Sequence, residues 1–354
     1  MIARALPSGR AVTPIGLDLG TRTIKAVQLR RRGGVMEVCA SAQFGRRGGI
    51  DTPVDDREIA RIEGVLYRRG FVGSRVVIAA SRAGLFSAEV DTPPRGRNVP
   101  IDMIVRAELA RAQRVEAESF EQAYWDLPSA GRRQGGGVMA VGLDRGPLVQ
   151  TIDRFEDAGL TVTAVDLASL ALARAASASN GGATPPFLVV VDLGFSALSI
   201  TVLHDGTVVY QREAPAGAME RLERRVAERV GVEPEFAEHL LESLGSDDDR
   251  DDGVSALVRG LVAEHASNCT DGIRESIGYA AHRYRTDPVA SVVACGGGAE
   301  LVFSGVRGAD VLGAPVQVLR PSALASVEGD ARAQDHPAFM LATALAARSD
   351  RGAA

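Results

Sequence analysis

The chain has 354 residues, which is more than one hydrophobic core ordinarily serves, so we expect at least two structural units. Hydrophobic residues make up 45% of the chain and charged residues 24%, a balance that excludes global disorder. The net charge of -5 argues against nucleic acid as the main partner.

Residues 1–13 contain no apolar run long enough for a signal peptide, and we expect a disordered lead-in there. Residues 15–29 then read as an apolar strand, a polar turn and an alternating strand, as a tight hairpin requires. Gly20 lets the backbone of this turn approach a ligand closely, and the hydroxyls of Thr21 and Thr23 add donors. The turn is therefore predicted to bind an anion.

The charges of this hairpin indicate which anion it binds. Asp18 brings a carboxylate towards the turn, which fits a Mg²⁺ ion held through water between the carboxylate and the phosphates of a nucleotide. Lys25 follows on the outgoing strand and can offset the charge of the β and γ phosphates. Two alternatives stay open at this point: an ordinary Asp-Gly turn and a solvated strand lysine.

The sequence up to residue 165 predicts a mixture of strands and helices. The predicted strands are 36–44, 76–80, 84–90, 123–127, 137–143 and 161–165, and the predicted helices are 55–69, 101–114 with a cap near Asp102, and 146–159. A glycine-rich, basic connector joins two of the strands at 129–136. We expect a first lobe of residues 14–83 and 164–184, into which residues 84–163 are inserted as a separate subdomain.

The pattern of the first hairpin returns after a linker at 177–184. Residues 189–202 contain the same Asp-Leu-Gly turn, here formed by Asp192 and Gly194, and Ser196 adds a hydroxyl donor. Two such hairpins predict two lobes that close on one ligand. In that arrangement Asp192 would orient an attacking water if hydrolysis occurs.

A third glycine-rich turn follows in the last part of the chain. The strand predicted at 289–294 runs into Gly296-Gly297-Gly298, whose bare backbone allows a flat ring to lie against it. The acidic run 247–252 lacks the spacing of a calcium loop and is expected to be solvated. We expect a second lobe of residues 185–217 and 289–348, with a helical subdomain at 218–288 that includes helices 218–230, 233–244 and 254–284.

The remaining chemistry-bearing residues form no recognisable site. The cysteines Cys39, Cys269 and Cys295 are too far apart for a disulfide framework or metal spacing, which favours a reducing, cytoplasmic compartment. The five histidines are scattered and fit no catalytic triad. The longest apolar stretch, 187–203, contains a charged residue and is too short to cross a bilayer, so we expect no direct membrane insertion and contact with a membrane only through a partner.

The motifs at 16–27, 192–201 and 296–301 resemble, in order and spacing, the two phosphate motifs and the adenosine motif of the actin-like ATPases. Within that superfamily the sequence resembles the PilM family of type IV pilus assembly proteins over residues 13–348. The resemblance implies a two-lobed α/β actin-like ATPase fold with ribonuclease-H-like duplicated domains. It also implies an inserted subdomain of the FtsA and PilM type in the first lobe.

The resemblance further implies ATP and Mg²⁺ as ligands, with the metal held by Asp18 through water. The residues expected to bind the nucleotide are Asp18, Gly20, Thr21, Arg22, Thr23, Lys25, Asp192, Gly194, Ser196, Glu238, Gly296, Gly297 and Gly298. Asp192 is also the candidate catalytic residue. Because Arg22, Phe195 and Ala197 stand where small hydroxyl residues are usual in the family, we expect a weak ATPase at most.

The implied partner is the N-terminal cytoplasmic peptide of a PilN-like bitopic membrane protein. The chain would then be a cytoplasmic scaffold, peripheral to the inner membrane, in the assembly platform of a pilus or related secretion system. We expect the inserted subdomain to dock this peptide, with residues 84–91 as a pairing edge. Two alternatives are an FtsA-like divisome filament protein, whose C-terminal amphipathic helix is not found in residues 348–354, and a small-molecule kinase of the same superfold.

Overall fold

The computed structural model describes residues 12–48, 52–94, 99–128, 136–179, 186–244, 253–284, 291–303, 316–327 and 331–348. The acidic run at 247–252 and most of the predicted lead-in, connector and linker lie outside the described residues. Residues 177–179, which were expected to belong to the linker, instead form the end of a helix.

The described strands and helices follow one another in much the order that the sequence predicts. The strands are β1 (Ile15–Leu19), β2 (Thr23–Arg32), β3 (Val35–Gly45), β4 (Arg75–Ala79), β5 (Leu85–Thr92), β6 (Phe120–Leu127), β7 (Gly136–Asp144), β8 (Thr161–Asp166), β9 (Phe187–Leu193), β10 (Leu198–His204), β11 (Thr207–Ala214), β12 (Ser291–Cys295) and β13 (Val316–Val318). The helices are α1 (Asp56–Arg68), α2 (Ile101–Gln113), α3 (Arg145–Asp157), α4 (Ala168–Ser179), α5 (Met219–Val230), α6 (Pro234–Ser243), α7 (Gly253–Tyr284), α8 (Ala299–Phe303), α9 (Ala331–Gln334) and α10 (Met340–Ala346).

Two five-stranded sheets share one topology. The first has the order β3-β2-β1-β4-β8 and the second the order β11-β10-β9-β12-β13. In each sheet the first three strands are antiparallel neighbours, and the last two strands join in parallel. We call each sheet, with the helices on its outer face, a lobe. Because parallel neighbours end at the same edge of a sheet, the turn after β1 and the loop after β4 lie side by side.

Helices α4 and α10 lie between the two sheets. Leu172 and Ala176 of α4 and Leu345 of α10 belong to one buried cluster, together with Val77 of the first sheet and Val190 of the second. The apolar faces of both sheets are therefore buried against the same pair of helices, which fixes the lobes relative to each other at their base.

The outer faces of the two sheets are covered by separate sets of helices. Helices α1 and α3 cover the first sheet, and Ile62 and Phe155 are buried in its core. Helices α5, α6, α7 and α8 cover the second sheet. Leu257 of α7 faces away from this core and is 36% exposed. Among the described helices, none combines the length and the apolar character needed to cross a bilayer.

A third, smaller sheet has the order β5-β7-β6 and packs against α2. Pro100 is the N-cap residue of α2, with no side-chain cap. Asp102 does not cap the helix as predicted, because its carboxylate accepts a hydrogen bond of 2.7 Å from the hydroxyl of Tyr124 on β6. Trp125 Nε1 on the same strand donates to the carbonyl of Val208 at 2.7 Å, which ties this sheet to the second lobe.

The predicted boundary of the insertion at residue 163 divides β8, which pairs with β4 in the first sheet. Phe155 of α3 and Leu160 are also buried in the core of the first lobe. The strand pairing therefore favours an insertion that ends before α3. The other predicted domain boundaries stay a prediction.

One close packing contact yields a test of the fold. A Cβ atom at Gly16 of β1 would overlap the carbonyl oxygen of Ala342 and lie 2.5 Å from the backbone nitrogen of Ala346, both on α10. We expect Gly16→Ala to lower the free energy of unfolding by more than about 2 kcal/mol, because helix backbone cannot move aside cheaply. Denaturant unfolding measures this change.

Gly278→Ala is the matched control, because Gly278 lies within α7 and a Cβ there would meet nothing within 4 Å. Alanine favours a helix over glycine by about 0.5–1 kcal/mol, so this variant should be as stable as the parent or slightly more stable. A Gly16→Ala protein as stable as the parent would contradict the packing of α10 on β1.

Candidate functional site

The first hairpin turn combines a carboxylate, a lysine and a bare backbone. Asp18 on β1 is register partner of Lys25 on β2, and Lys25 Nζ lies 3.2 Å from Asp18 Oδ2. A Cβ atom on Gly20 would lie 2.6 Å from the carbonyl oxygen of Thr23 and 3.2 Å from Lys25 Nζ. A side chain at Gly20 would therefore fill the space beside the lysine amine that the turn leaves open for an anion.

The second hairpin turn repeats this arrangement without the lysine. Gly194 donates its backbone N–H to the carbonyl of Ala197 at 3.0 Å, which closes the turn. Asp192 is the penultimate residue of β9 and is register partner of Ser199 on β10. Ser196 lies within the turn itself, so its hydroxyl is available at the place predicted for a phosphate donor.

The electrostatic environment of Asp192 differs from that of a surface carboxylate. The pKa of Asp192 is raised to about 6, chiefly by burial and to a smaller extent by the negative charge of Asp18, against the effects of Arg82 and Lys25. Burial raises this pKa because a desolvated carboxylate favours its neutral form. Asp192 therefore titrates close to neutrality, in the range that suits proton transfer to or from a bound water.

The triple glycine after β12 lies against the second hairpin. Gly296 has a φ of +93°, and a Cβ there would overlap Asp192 Oδ1 and lie 2.6 Å from the carbonyl oxygen of Leu193. A Cβ at Gly298 would overlap Met219 Sδ. A Cβ at Gly297, in contrast, would meet nothing within 4 Å. A side chain at Gly296 would meet backbone and one at Gly298 would displace Met219, whereas the middle glycine leaves its backbone open to a flat ring.

All thirteen predicted binding residues line one cleft with a volume of about 2690 Å³. They are Asp18, Gly20, Thr21, Arg22, Thr23, Lys25, Asp192, Gly194, Ser196, Glu238, Gly296, Gly297 and Gly298. A cleft of this size has room for a nucleotide with its solvent. The structure therefore brings the predicted residues together, while their roles towards a ligand stay predictions.

Arg22 reaches from the first lobe to the second. Its guanidinium forms ion pairs with Glu223 of α5 and Glu238 of α6. It also lies over the ring of Phe195, at 4.8 Å from the ring centre. The predicted contacts of Glu238 and Arg22 with the nucleotide would thus have to compete with an existing interlobe ion pair.

Sequence reasoning missed Arg82, which also reaches the second lobe. Its guanidinium lies 3.0 Å from Ser199 Oγ and 3.1 Å from Glu213 Oε1. Arg82 belongs to the loop after β4 and to no motif. The available signal was topological, since that loop follows the parallel neighbour of β1 and therefore emerges beside Asp18.

A second group of residues missed by sequence reasoning lines the cleft at its glycine-rich end. Arg320 Nη2 lies 2.8 Å from Glu300 Oε1, and His336 Nε2 lies 3.7 Å from Glu300 Oε2. Burial lowers the pKa of His336, against the effect of Glu300. These side chains place a polar wall beside the open backbone of Gly297.

The donor set fits a water-bound Mg²⁺ and does not form a closed metal cage. Asp18 supplies one carboxylate beside the open turn at Gly20, and Mg²⁺ commonly binds through one or two carboxylates, water and substrate phosphates. Within the described parts of the chain, no cluster of three or more histidine, cysteine, aspartate or glutamate side chains is arranged to hold a metal ion.

A family model described as type IV pilus assembly protein PilM matches residues 16–350. The solved PilM-PilN type IV pilus biogenesis complex is similar with a TM-score of 0.76 and 18% identity, over 94% of this chain and 97% of that chain. The prediction of an actin-like α/β fold is confirmed.

Two further solved structures are similar at a lower level. The ethanolamine utilization protein EutJ from Carboxydothermus hydrogenoformans has a TM-score of 0.53 and 18% identity, over 98% of this chain and 92% of that chain. A ROK family glucokinase from Streptomyces griseus, solved in complex with glucose and AMPPNP, has a TM-score of 0.51 and 16% identity, over 94% and 98%. At these identities the likeness shows a common fold.

The raised pKa of Asp192 yields a pH prediction. At pH values between 3.8, the ordinary pKa of an aspartate, and about 6, the folded state keeps a proton on Asp192 that the unfolded chain releases. The stabilisation from this group is complete below pH 3.8 and is lost as the pH rises through 6. Asp192→Asn removes this loss.

Urea unfolding at about pH 4.5 and pH 7.5 measures the effect. Relative to the parent, Asp192→Asn should gain about 2 kcal/mol in free energy of unfolding between the two pH values. If the free energies of unfolding of variant and parent differ by the same amount at both pH values, Asp192 titrates in its ordinary range.

Proposed function

Because this chain belongs to the PilM family of type IV pilus assembly proteins, we propose that it is a nucleotide-binding scaffold of a pilus or related secretion platform at the inner membrane. The observation that carries the proposal is the pair of equivalent hairpins, which present Asp18 and Asp192 to one cleft between two lobes of equal topology. A ligand held by both hairpins would be sensitive to the separation of the lobes.

The proposed ligand is ATP with Mg²⁺. Asp18 would hold Mg²⁺ through water, and the ion would neutralise part of the phosphate charge. Lys25, the backbone N–H at Gly20 and the hydroxyl of Ser196 would contact the phosphates, and the base would lie on the open backbone of Gly297. The nucleotide would thereby cross the cleft and contact both lobes.

The same cleft argues for slow hydrolysis at most. Asp192 has a pKa of about 6 and could accept a proton from water. Around it, however, the turn carries the side chains of Phe195 and Ala197, which add no hydroxyl donor for a transferred phosphate. We therefore assign the nucleotide the role of a conformational ligand, whose occupancy sets the contact between lobes and the affinity for partners.

The proposed partner is the N-terminal cytoplasmic peptide of a PilN-like membrane protein, which would bring the chain to the membrane. The similar solved complex contains PilM and PilN. In this chain β5 is an edge strand, with β7 as its strand neighbour among the described residues. An extended peptide can add to such an edge through backbone hydrogen bonds. The alternative of a small-molecule kinase gains nothing from the glucokinase likeness, which reflects the fold.

Titration of ATP into the protein tests the proposed ligand. Lys25→Ala should weaken ATP binding in the presence of Mg²⁺ about tenfold or more, because a hydrogen bond to a charged group contributes about 1.5–3 kcal/mol. Arg31→Ala is the control, since Arg31 is exposed on the same strand and does not line the cleft. Equal affinity of the Lys25→Ala protein and the parent would contradict the assigned role.

Fluorescence anisotropy with a labelled PilN-like peptide tests the proposed partner. Successive backbone N–H groups of β5 point alternately to β7 and to the open edge. One of the two variants Ser87→Pro and Ala88→Pro therefore removes an N–H that points to the open edge. That variant should keep the Tm of the parent and bind the peptide at least about tenfold more weakly. If that stable variant binds like the parent, the peptide does not pair with β5.

A further inference from the structure

The two hairpins carry their charges in equivalent rows of residues. In the first sheet Asp18 faces Lys25, and Lys25 faces Gln43 on the next strand. In the second sheet Asp192 faces Ser199, and Ser199 faces Glu213. Ser199 therefore occupies the place that Lys25 occupies in the first sheet.

This equivalence exposes a difference in charge. The first row contains one carboxylate and one ammonium group, whereas the second row contains the two carboxylates of Asp192 and Glu213 with a hydroxyl between them. A phosphate would be repelled by the second row unless a cation came from elsewhere. The second hairpin is thus incomplete as an anion site on its own strands.

Arg82 supplies the missing cation from the other lobe. Its guanidinium lies 3.0 Å from Ser199 Oγ, 3.5 Å from Ser196 Oγ and 3.1 Å from Glu213 Oε1. Arg82 also lowers the pKa of Asp192, so its charge acts on the whole row. The positive charge that Lys25 supplies within the first hairpin is supplied at the second hairpin by an arginine of the other lobe.

The present partners of Arg82 are exchangeable. The side chains of Arg82 and Glu213 are 39% and 52% exposed, and an ion pair between exposed groups contributes little to stability. A phosphate accepts two parallel hydrogen bonds from a guanidinium and carries more charge than a carboxylate. A phosphate at the second turn would therefore compete well with Glu213.

We infer that Arg82 is a phosphate-binding residue for the nucleotide at the second hairpin, and that it links nucleotide occupancy to contact between the lobes. The inference rests on the proposed nucleotide function and adds to it a residue that belongs to neither Asp-Leu-Gly motif. Because the cation belongs to one lobe and the turn to the other, a phosphate bound there joins the lobes directly.

ATP affinity in the presence of Mg²⁺ tests the inference with three variants. Arg82→Ala should bind ATP at least about tenfold more weakly than the parent. Arg212→Ala should bind like the parent, because Arg212 lies on β11 beside this site and pairs with Glu275 outside the cleft. The double variant Arg82→Ala with Ser199→Lys should recover most of the affinity, since it introduces a lysine at the position equivalent to Lys25.

Hydrogen–deuterium exchange separates binding from the link between lobes. In the parent, ATP should slow exchange in the loop at 80–84, whereas in the double variant ATP should bind without slowing exchange there. If the parent binds ATP measurably and the Arg82→Ala protein binds it equally well, the inference is overturned and the proposed function stays intact. A parent that binds no ATP would overturn both.

Discussion

Asp18 and Asp192 present two carboxylates to one cleft from opposite lobes, and the cations of the site lie around them. Lys25 and Arg82 are the cations that act on Asp192, and both belong to the first lobe. The pKa of Asp192 nevertheless stays raised, at about 6, because burial outweighs them. A polyanion with its Mg²⁺ between the hairpins would add positive charge beside Asp18 and give both arginine and lysine a stronger partner.

The fold brings these charges together through its repeated topology. In each sheet the two central parallel strands end at the cleft, so equivalent turns from both lobes face each other. At the base, α4 and α10 are packed against both sheets, and the bare backbone of Gly16 allows α10 to lie close to β1. Further out, the lobes meet through exposed or partly exposed arginine contacts. The base is therefore rigid by packing, and the mouth is held by exchangeable ion pairs.

The sequence was sufficient for features that lie within one segment. Both hairpins, the triple glycine and most helices follow from local period and turn chemistry, and the equivalent motifs correctly predicted a duplicated fold. Contacts between distant segments were not predictable in this way. Arg22 and Glu223 are separated by 201 positions, and nothing local in either segment indicates their ion pair. Arg82 stands outside every motif, and nothing local shows that β8, within which the predicted boundary at 163 lies, pairs with a strand far earlier in the chain.

The central claim is that one nucleotide, bound by both hairpins, sets the contact between the lobes. The most direct measurement is the distance between spin labels at Arg57 on α1 and Arg229 on α5, which are exposed positions on the outer faces of the two lobes. Saturating ATP with Mg²⁺ should shift and narrow the distribution of this distance. An unchanged distribution in protein shown to be saturated with ATP would contradict the account.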